Sequence, residues 1–437
     1  MSNGASRVFF PYHQKREVSV SVGCSEVEYC AQPDEYMENG SKCTIQRHFS
    51  KKRYILYDVN PPEGFNLRRD VYIRAAVFVK DLAEQDNEFD WQLVLPPWEK
   101  LYHWKSRDLG SQLQIPWGTF FDIESLRKFA PVIEMYDFLK EYPSEHGTTI
   151  VDKLYILQND EEMFKTGKFE DKNEVVKCLS DSQQRIVTWG YSNISMKEVS
   201  CLTFHATVSG LRKNLQPKIY SSVAFDHMEV ALHDSYGSQN YWRARRSMRY
   251  NSELYEIAKK FREQFLHSND VKDQTIRSSD WTKEKGERNA LGGPYLAVHL
   301  RRRDFLIGRS KFIPTIPHAA VQLKEIMVRL GLNVTFVATD AEEHEYSELQ
   351  KHLPDYKILK FQPSWSIRKK FKDGGIAIID QIICSHARYF IGTYESTFTF
   401  RIQEDREILG FPTETTFNVL CGKEKKCLLG GHWKIVW

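Results

Sequence analysis

Residues 295–300 read Tyr-Leu-Ala-Val-His-Leu, a short apolar run of the kind that forms a buried β-strand. After this run the chain alternates between segments with helical periodicity and further short apolar runs. The further predicted strands are 334–338, 356–359 and 388–391, and the predicted helices are about 317–330, 342–353, 376–387 and 397–409. Such strict alternation is typical of a doubly wound parallel sheet in an α/β protein.

An earlier part of the chain shows the same pattern. A strand is predicted at residues 53–59, followed by a helix with Val71, Ala75 and Phe78 on one face and by a strand at residues 91–95. A strand, a helix and a strand in this order predict a βαβ unit, and therefore a second parallel arrangement. Two α/β halves enclose a cleft, and ligands bind at the carboxyl ends of the strands.

The 437 residues are enough for two or three domains. We expect a polar N-terminal extension of uncertain order at residues 1–50 and a Rossmann-like domain at residues 51–245. A second Rossmann-like domain is expected at residues 246–437. Within the aromatic and charged middle of the chain, residues 241–265 predict one long helix.

The overall composition argues against two classes of protein. Lys and Arg number 61 against 58 Asp and Glu, a balance that is unusual for a general nucleic-acid-binding protein. No apolar run is long enough for a membrane span. The first ten residues also lack the apolar core of a signal peptide, which taken alone would indicate the cytosol.

The cysteines and the sequons instead favour an oxidising compartment. Glycosylation sequons occur at Asn39, Asn193 and Asn333. No C-x-x-C pair or His cluster suggests a zinc site, and Cys384 in an apolar helical run is predicted to be a buried thiol. Two further pairs, Cys178 with Cys201 and Cys421 with Cys427, flank polar segments and could close loops as disulfides. The pairing of Cys24, Cys30 and Cys43 stays open.

The first candidate site is residues 61–66, Pro-Pro-Glu-Gly-Phe-Asn, which follow the first predicted strand. A carboxylate held there by two prolines, that of Glu63, could accept a proton from an attacking hydroxyl. The alternative is a solvated Glu63 in the first helical turn, where the helix dipole favours it.

The second candidate site is residues 299–304, His-Leu-Arg-Arg-Arg-Asp, at the end of the strand that opens the second half. A guanidinium there can hold a diphosphate with two hydrogen bonds and neutralise a leaving group. The alternative is a basic strand end that faces water. Three consecutive arginines cannot all face the cleft, so at least one of them is expected to be structural.

The third candidate site is residues 392–398, Gly-Thr-Tyr-Glu-Ser-Thr-Phe, between a strand and the last long helix. The backbone N–H groups of a helix start attract phosphate. The alternative is that Ser396 or Thr397 only caps the helix. The segment is not a G-x-G-x-x-G motif, so no dinucleotide cofactor is expected, and the absence of a D-x-D pair favours a metal-independent transferase.

Five stretches of the chain resemble the GDP-fucose protein O-fucosyltransferase 2 family, and the resemblance extends from about residue 52 to Trp437. The stretches are residues 57–70, 94–98, 299–302, 373–381 and 396–398. The resemblance implies the GT-B architecture and inverting transfer of fucose from GDP-fucose to a Ser or Thr of folded thrombospondin type-1 repeats. It also implies the lumen of the endoplasmic reticulum and assigns the main share of nucleotide-sugar binding to the second Rossmann-like domain, residues 246–437. Beside the resemblance, we expect a monomer with no essential metal, no nucleic-acid partner and no membrane span.

The resemblance also implies roles for individual residues. Glu63 matches the catalytic base, and Arg301 matches the arginine that binds the diphosphate and promotes the departure of GDP. The other donor-binding positions are Pro62, Gly64, Phe65, Asn66, His299, Asp380, Ser396, Thr397 and Phe398, with Asp380 expected at the guanine N–H groups. The resemblance suggests the disulfides Cys178–Cys201 and Cys421–Cys427.

Two rival functions remain at this point. One is an O-fucosyltransferase for EGF-like repeats, because the loops that select the acceptor cannot be interpreted from the sequence. The other is a non-catalytic protein that binds such repeats to check their folding. An intact pair of Glu63 and Arg301 argues against the second rival.

Overall fold

Two β-sheets, one mixed and one parallel, form the framework of the computed structural model within the described residues. The structure describes residues 51–99, 101–167, 169–178, 187–422 and 430–437. The predicted extension at residues 1–50, with Asn39 and three cysteines, lies outside these residues, as does Cys427. The boundary predicted between residues 245 and 246 remains a prediction.

The first sheet carries the predicted βαβ unit. Its strand order is β3-β2-β1-β8-β5-β7-β6, with β4 paired to β5, and β1 and β2 are parallel as predicted. Its strands are β1 Lys52–Tyr57, β2 Asp90–Leu95, β3 Val132–Glu134, β4 Ser144–Glu145, β5 Thr148–Gln158, β6 Lys172–Val176, β7 Ile194–His205 and β8 Ser222–Asp226. The helices of this part are α1 Phe65–Gln85, α2 Ile123–Arg127, α3 Met135–Glu141, α4 Glu161–Thr166, α5 Arg212–Leu215, α6 Gln239–Ser247 and α7 Ser252–Phe265.

The second sheet has the order β11-β10-β9-β12-β13, and all its pairings are parallel. Its strands are β9 Gly293–Leu300, β10 Val334–Thr339, β11 Lys357–Leu359, β12 Ala387–Gly392 and β13 Asn418–Val419. The helices are α8 Arg303–Gly308, α9 Ile316–Leu330, α10 Glu343–His352, α11 Trp365–Ser385 and α12 Thr397–Leu409. The predicted alternation is confirmed in this half.

The position of β9 explains its apolar sequence. Tyr295 and Ala297 pack into one hydrophobic cluster, whereas Leu296 and Val298 pack into another on the opposite face of the sheet. Because helices cover both faces of a parallel sheet, its central strands are apolar on both sides. The predicted strand at residues 295–300 therefore lies at the centre of this sheet.

Two predicted helices differ from the observed ones. The predicted helix 241–265 is wrong as a single element, because the chain leaves the helical conformation at Met248 and Tyr250 then pairs with Phe121 in a β-bridge. Asn251 caps the new helix α7 by accepting a hydrogen bond from the backbone N–H of Glu253. The predicted helix at residues 376–387 is the apolar end of the longer α11, which has non-helical backbone angles at Lys372.

Buried polar side chains connect the helices of the two parts. Arg69 of α1 donates hydrogen bonds to Gln381 of α11 and to Tyr250, both at 2.7 Å. Arg245 of α6 donates to Glu404 of α12 at 2.6 Å. These fully buried, charge-assisted contacts hold α1 against α11 and α6 against α12. None of the described helices is long and apolar enough to cross a membrane.

Candidate active site

A cavity of about 380 Å³ brings the three predicted strand-end segments together. Its wall combines the turn after β1 and the loop after β2 with the end of β9, part of α11 and the start of α12. The lining residues are Pro62, Glu63, Gly64, Phe65, Asn66, Leu67, His103, Trp104, His299, Arg301, Asp304, Phe305, Arg309, Asp373, Ala377, Glu395, Ser396, Thr397 and Phe398. Apart from Asp380, every predicted catalytic or donor-binding residue lines this cavity.

Glu63 lies before helix α1, which begins at Phe65, so the alternative that it occupies the first helical turn is wrong. The side chain is half-buried. Burial raises the pKa of the Glu63 carboxyl, the nearby carboxylate of Glu229 raises it further, and Arg68 opposes both. A carboxylate with a raised pKa is a stronger base than an ordinary glutamate, which suits it to accept a hydroxyl proton.

Arg68 fixes the turn that carries Glu63. Its Nε donates to the backbone oxygen of Glu63 at 3.2 Å, and its Nη2 donates to the backbone oxygens of Val59 at 3.0 Å and Asn60 at 3.2 Å. Its Nη1 pairs with Asp58 at 3.2 Å. One guanidinium therefore holds the turn by three carbonyl groups, a role that the sequence did not indicate.

Arg301 presents its guanidinium to the cavity from the end of β9. Its Nη1 donates to Oδ2 of Asp340, its Nη2 donates to Oδ1 of Asp304 at 2.6 Å, and Nη2 lies 3.2 Å from both ring nitrogens of His103. The backbone N–H of Arg301 donates to Thr393 Oγ1 at 2.9 Å. Because the side chain is mostly buried in the cavity wall, the alternative of a strand end that faces water is wrong for Arg301.

The other two arginines of the triplet point elsewhere. Arg302 is buried and donates to Glu345 through Nε at 2.9 Å and Nη2 at 2.6 Å, and to the backbone oxygen of Pro314. Arg303 is exposed and donates to the backbone oxygen of Asp340. The expectation that at least one arginine is structural is confirmed by Arg302.

His299 lines the cavity and is almost fully buried. Its Nδ1 is 2.8 Å from Thr399 Oγ1, and its ring stacks on Phe398 with centroids 4.3 Å apart and an interplanar angle of 24°. Burial lowers the pKa of His299 to about 3, and the adjacent Arg301 acts in the same direction. His299 is therefore a neutral imidazole at physiological pH.

The start of helix α12 has the properties of an anion site. Ser396 occupies the N-cap position, but its side chain makes no capping hydrogen bond, and the first turn carries no acidic residue. The alternative that Ser396 only caps the helix is therefore wrong. Backbone N–H groups at an uncapped helix start, together with the helix dipole, attract phosphate.

Asp380 does not line the cavity, although Ala377, one turn earlier on α11, does. Its Oδ1 is buried and has no hydrogen-bond partner within the described part of the chain. Burial raises the pKa of Asp380 to about 8. A buried acceptor without a partner next to a cavity is a binding position for a donor group of a ligand.

Several lining residues were not predicted from the sequence. Phe305 directly follows the predicted segment 299–304, which already includes the lining residue Asp304, and this neighbouring position could have indicated it. His103 and Trp104 lie in the aromatic middle of the chain, where no periodic pattern marked them. Arg309 pairs with Glu395 at the same cavity.

The predicted cysteine chemistry agrees with the structure where it is described. Cys178 and Cys201 form a disulfide with an S–S distance of 2.07 Å, and Cys384 is a buried free thiol. Cys421 is disulfide-bonded, while Cys427, its suggested partner, lies outside the described residues. Asn193 and Asn333 are exposed, as sites of glycosylation must be. Within the described ranges, no group of three or more His, Cys, Asp or Glu could hold a metal ion.

Comparison with known proteins decides the family. The family model described as GDP-fucose protein O-fucosyltransferase matches residues 54–409. The chain belongs to the GDP-fucose protein O-fucosyltransferases. It is 45% identical over 399 residues to the GDP-fucose protein O-fucosyltransferase 2 of Homo sapiens, covering 89% of this chain and 91% of that protein. The protein of the same name from Drosophila melanogaster is 41% identical over 405 residues, covering 88% and 82% of the two chains.

The fold is shared with solved structures. The crystal structure of POFUT1 in complex with GDP superposes with a TM-score of 0.55 at 17% identity and covers 85% of this chain and 99% of that chain. The structure of POFUT1 in complex with GDP-fucose gives a TM-score of 0.54 at 16% identity, with 86% and 99% covered. The predicted α/β GT-B architecture is confirmed, and the chain is a fucosyltransferase of this family.

Proposed function

We propose that this enzyme transfers fucose from GDP-fucose, with inversion at the anomeric carbon, to a Ser or Thr hydroxyl of folded thrombospondin type-1 repeats. The observation that carries the proposal is that Glu63 and Arg301 line one cavity. The relatives named GDP-fucose protein O-fucosyltransferase 2 support a protein acceptor, and the resemblance of the sequence motifs implies thrombospondin type-1 repeats. The disulfide Cys178–Cys201 supports an oxidising compartment, for which we propose the lumen of the endoplasmic reticulum.

The donor diphosphate is held by Arg301 and by the backbone N–H groups at the start of α12. As the bond between C1 of fucose and the β-phosphate oxygen breaks, negative charge grows on GDP. A guanidinium and a helix start that are fixed before the reaction stabilise this charge more strongly than the ground state. The proposal therefore needs no metal ion to neutralise the diphosphate.

Glu63 accepts the proton of the acceptor hydroxyl while that oxygen attacks C1 from the face opposite to GDP. One C–O bond forms as the other breaks, so the single displacement inverts the anomeric centre. The raised pKa of Glu63 assists the proton transfer. The surrounding wall, which includes Phe65 and Trp104, excludes water that would otherwise hydrolyse the donor.

The nucleotide is recognised by the second sheet. The neutral His299 and the stacked ring of Phe398 lie beside the helix start that holds the phosphates. Asp380 accepts hydrogen bonds from the guanine N–H groups through the oxygen that has no partner within the described residues. Pro62, Gly64 and Asn66 complete the donor site from the first sheet.

The acceptor class is tested by mass spectrometry. The purified enzyme is incubated with GDP-fucose and a folded thrombospondin type-1 repeat, an EGF-like repeat, or the reduced and unfolded thrombospondin repeat. The proposal predicts addition of one fucose to the folded thrombospondin repeat alone. Modification of the EGF-like repeat alone would show that the first rival function is correct. A parallel reaction in EDTA is expected to proceed at an unchanged rate.

A further inference from the structure

The carboxylate of Asp340 connects Arg301 to the backbone of the second sheet. Its Oδ2 accepts from Nη1 of Arg301, while its Oδ1 accepts from the backbone N–H of Arg302 at 2.7 Å. The backbone oxygen of the same residue accepts from Nε of Arg303 at 2.9 Å. Asp340 therefore contacts all three members of the arginine triplet but does not itself line the cavity.

Strand pairing places Asp340 beside Arg301. Thr339, the last residue of β10, pairs with Leu300, the last residue of β9, so the next residue of each strand lies next to the other. Thr339 Oγ1 donates to the backbone oxygen of Leu300 at 2.6 Å and accepts from the backbone N–H of Ala341 at 3.0 Å. The two strand ends are thus linked on both sides of Asp340, which restricts where its carboxylate can lie.

The guanidinium of Arg301 has two different sides. Its Nη2 contacts Asp304 and His103, both of which line the cavity. Its Nη1 instead donates to Asp340, which does not line the cavity. A diphosphate that enters the cavity can replace the contacts at Nη2 without displacing Asp340. The contact to Asp340 can therefore be kept while the substrate is bound, and it fixes the direction of the remaining N–H groups of Arg301.

We infer that Asp340 is a positioning residue for fucose transfer, which holds the Arg301 guanidinium in the orientation that stabilises the departing GDP. The inference rests on the proposed role of Arg301. The backbone N–H groups at the start of α12, which share in holding the diphosphate in the ground state, do not depend on Asp340. Loss of its carboxylate should therefore affect turnover more strongly than donor binding.

The test compares Asp340→Asn with the control Glu345→Gln. The amide oxygen of the substituted side chain still accepts from the backbone N–H of Arg302, so only the charged contact to Arg301 is lost. The control removes the charge of the carboxylate that pairs with Arg302 in the same region, and Glu345 does not line the cavity. Initial rates are measured over a range of GDP-fucose concentrations, with thermal unfolding of each variant.

We expect Asp340→Asn to lower kcat about 10- to 100-fold, the rate change that corresponds to the free energy of one charge-assisted hydrogen bond. The KM for GDP-fucose should change by less than about threefold. Glu345→Gln should leave kcat within about twofold of wild type, and Asp340→Glu should recover part of the lost rate. The inference would be overturned by a wild-type kcat in Asp340→Asn or by an equal loss of kcat in Asp340→Asn and Glu345→Gln. It would also be overturned if Asp340→Asn showed no thermal unfolding transition, because the residue would then be needed for folding. Failure of the wild-type enzyme in the same assay would instead count against the proposed function.

Discussion

Glu63 and Arg301 line the same cavity although they belong to different sheets of the protein. Glu63 follows β1 in the first sheet, and Arg301 follows β9 in the second. A base and a cation at the same cavity can act on one displacement reaction, because the base accepts the proton of the attacking hydroxyl while the cation stabilises the leaving group.

Replacement of Glu63 by Gln should abolish turnover while GDP binding is retained. The amide preserves the shape of the side chain but cannot accept the hydroxyl proton at physiological pH. Isothermal titration calorimetry with GDP and a transfer assay on the same protein separate the two effects. Loss of GDP binding in Glu63→Gln would show that the residue is structural rather than a base.

The raised pKa of Glu63 predicts the acid side of the pH–rate profile. Activity requires the deprotonated base, so kcat/KM should fall as the pH drops through the pKa of Glu63. Because this pKa is raised, the fall should occur at a higher pH than the usual glutamate pKa of about 4.3. Removal of the like charge in Glu229→Gln should lower that pKa and extend activity to lower pH. Glu174→Gln, at an exposed position of strand β6, is the control, and an unchanged profile in Glu229→Gln would contradict the prediction.

Arg302 and Arg303 should differ in their effect on stability. Arg302→Ala leaves Glu345 without its buried partner and should lower the free energy of unfolding by about 3 kcal/mol. Arg303 is exposed, so Arg303→Ala should change the free energy of unfolding by less than about 0.5 kcal/mol. Urea denaturation measures both values, and equal stabilities would contradict the assignment of Arg302 as the structural member of the triplet.

The buried Asp380 predicts that GDP binding depends on pH. If the carboxylate of Asp380 accepts hydrogen bonds from guanine, GDP binding requires the deprotonated form of this side chain. Its pKa in the free protein is about 8, so the carboxyl group is mostly protonated below pH 8. GDP affinity should therefore weaken as the pH falls from 8 to 7, by up to about tenfold. Asp380→Asn should remove this dependence and reduce the preference for GDP over ADP. A profile that is equally steep in Asp380→Asn would exclude Asp380 as its source.

The sequence predicted the strands that are buried on both faces of a sheet. Strand β9 is apolar on both faces, and its run at residues 295–300 was therefore visible. Strand β7 was not predicted, because residues 197–199 are three successive exposed positions that conceal its alternation. The break between α6 and α7 depends on the contact of Tyr250 with Phe121, which local periodicity does not encode.

The candidate site was predicted where a strand end carried distinctive chemistry. Glu63, Arg301 and Ser396 each follow a predicted strand, and topology placed all three at one cavity. Two partners of Arg301, Asp340 and His103, were not predictable in the same way. Asp340 reaches Arg301 through the parallel pairing of β9 and β10, and His103 reaches it from the first sheet.

The proposed role of Arg301 in the departure of GDP is best examined in Arg301→Ala, whose rate of fucose transfer is measured with GDP-fucose and a folded thrombospondin type-1 repeat. Thermal unfolding of the same sample establishes that the variant is folded, and Arg303→Ala serves as the matched control. The account predicts that the rate falls at least about 100-fold in Arg301→Ala and stays near wild type in Arg303→Ala. A folded Arg301→Ala enzyme with the wild-type rate would contradict it.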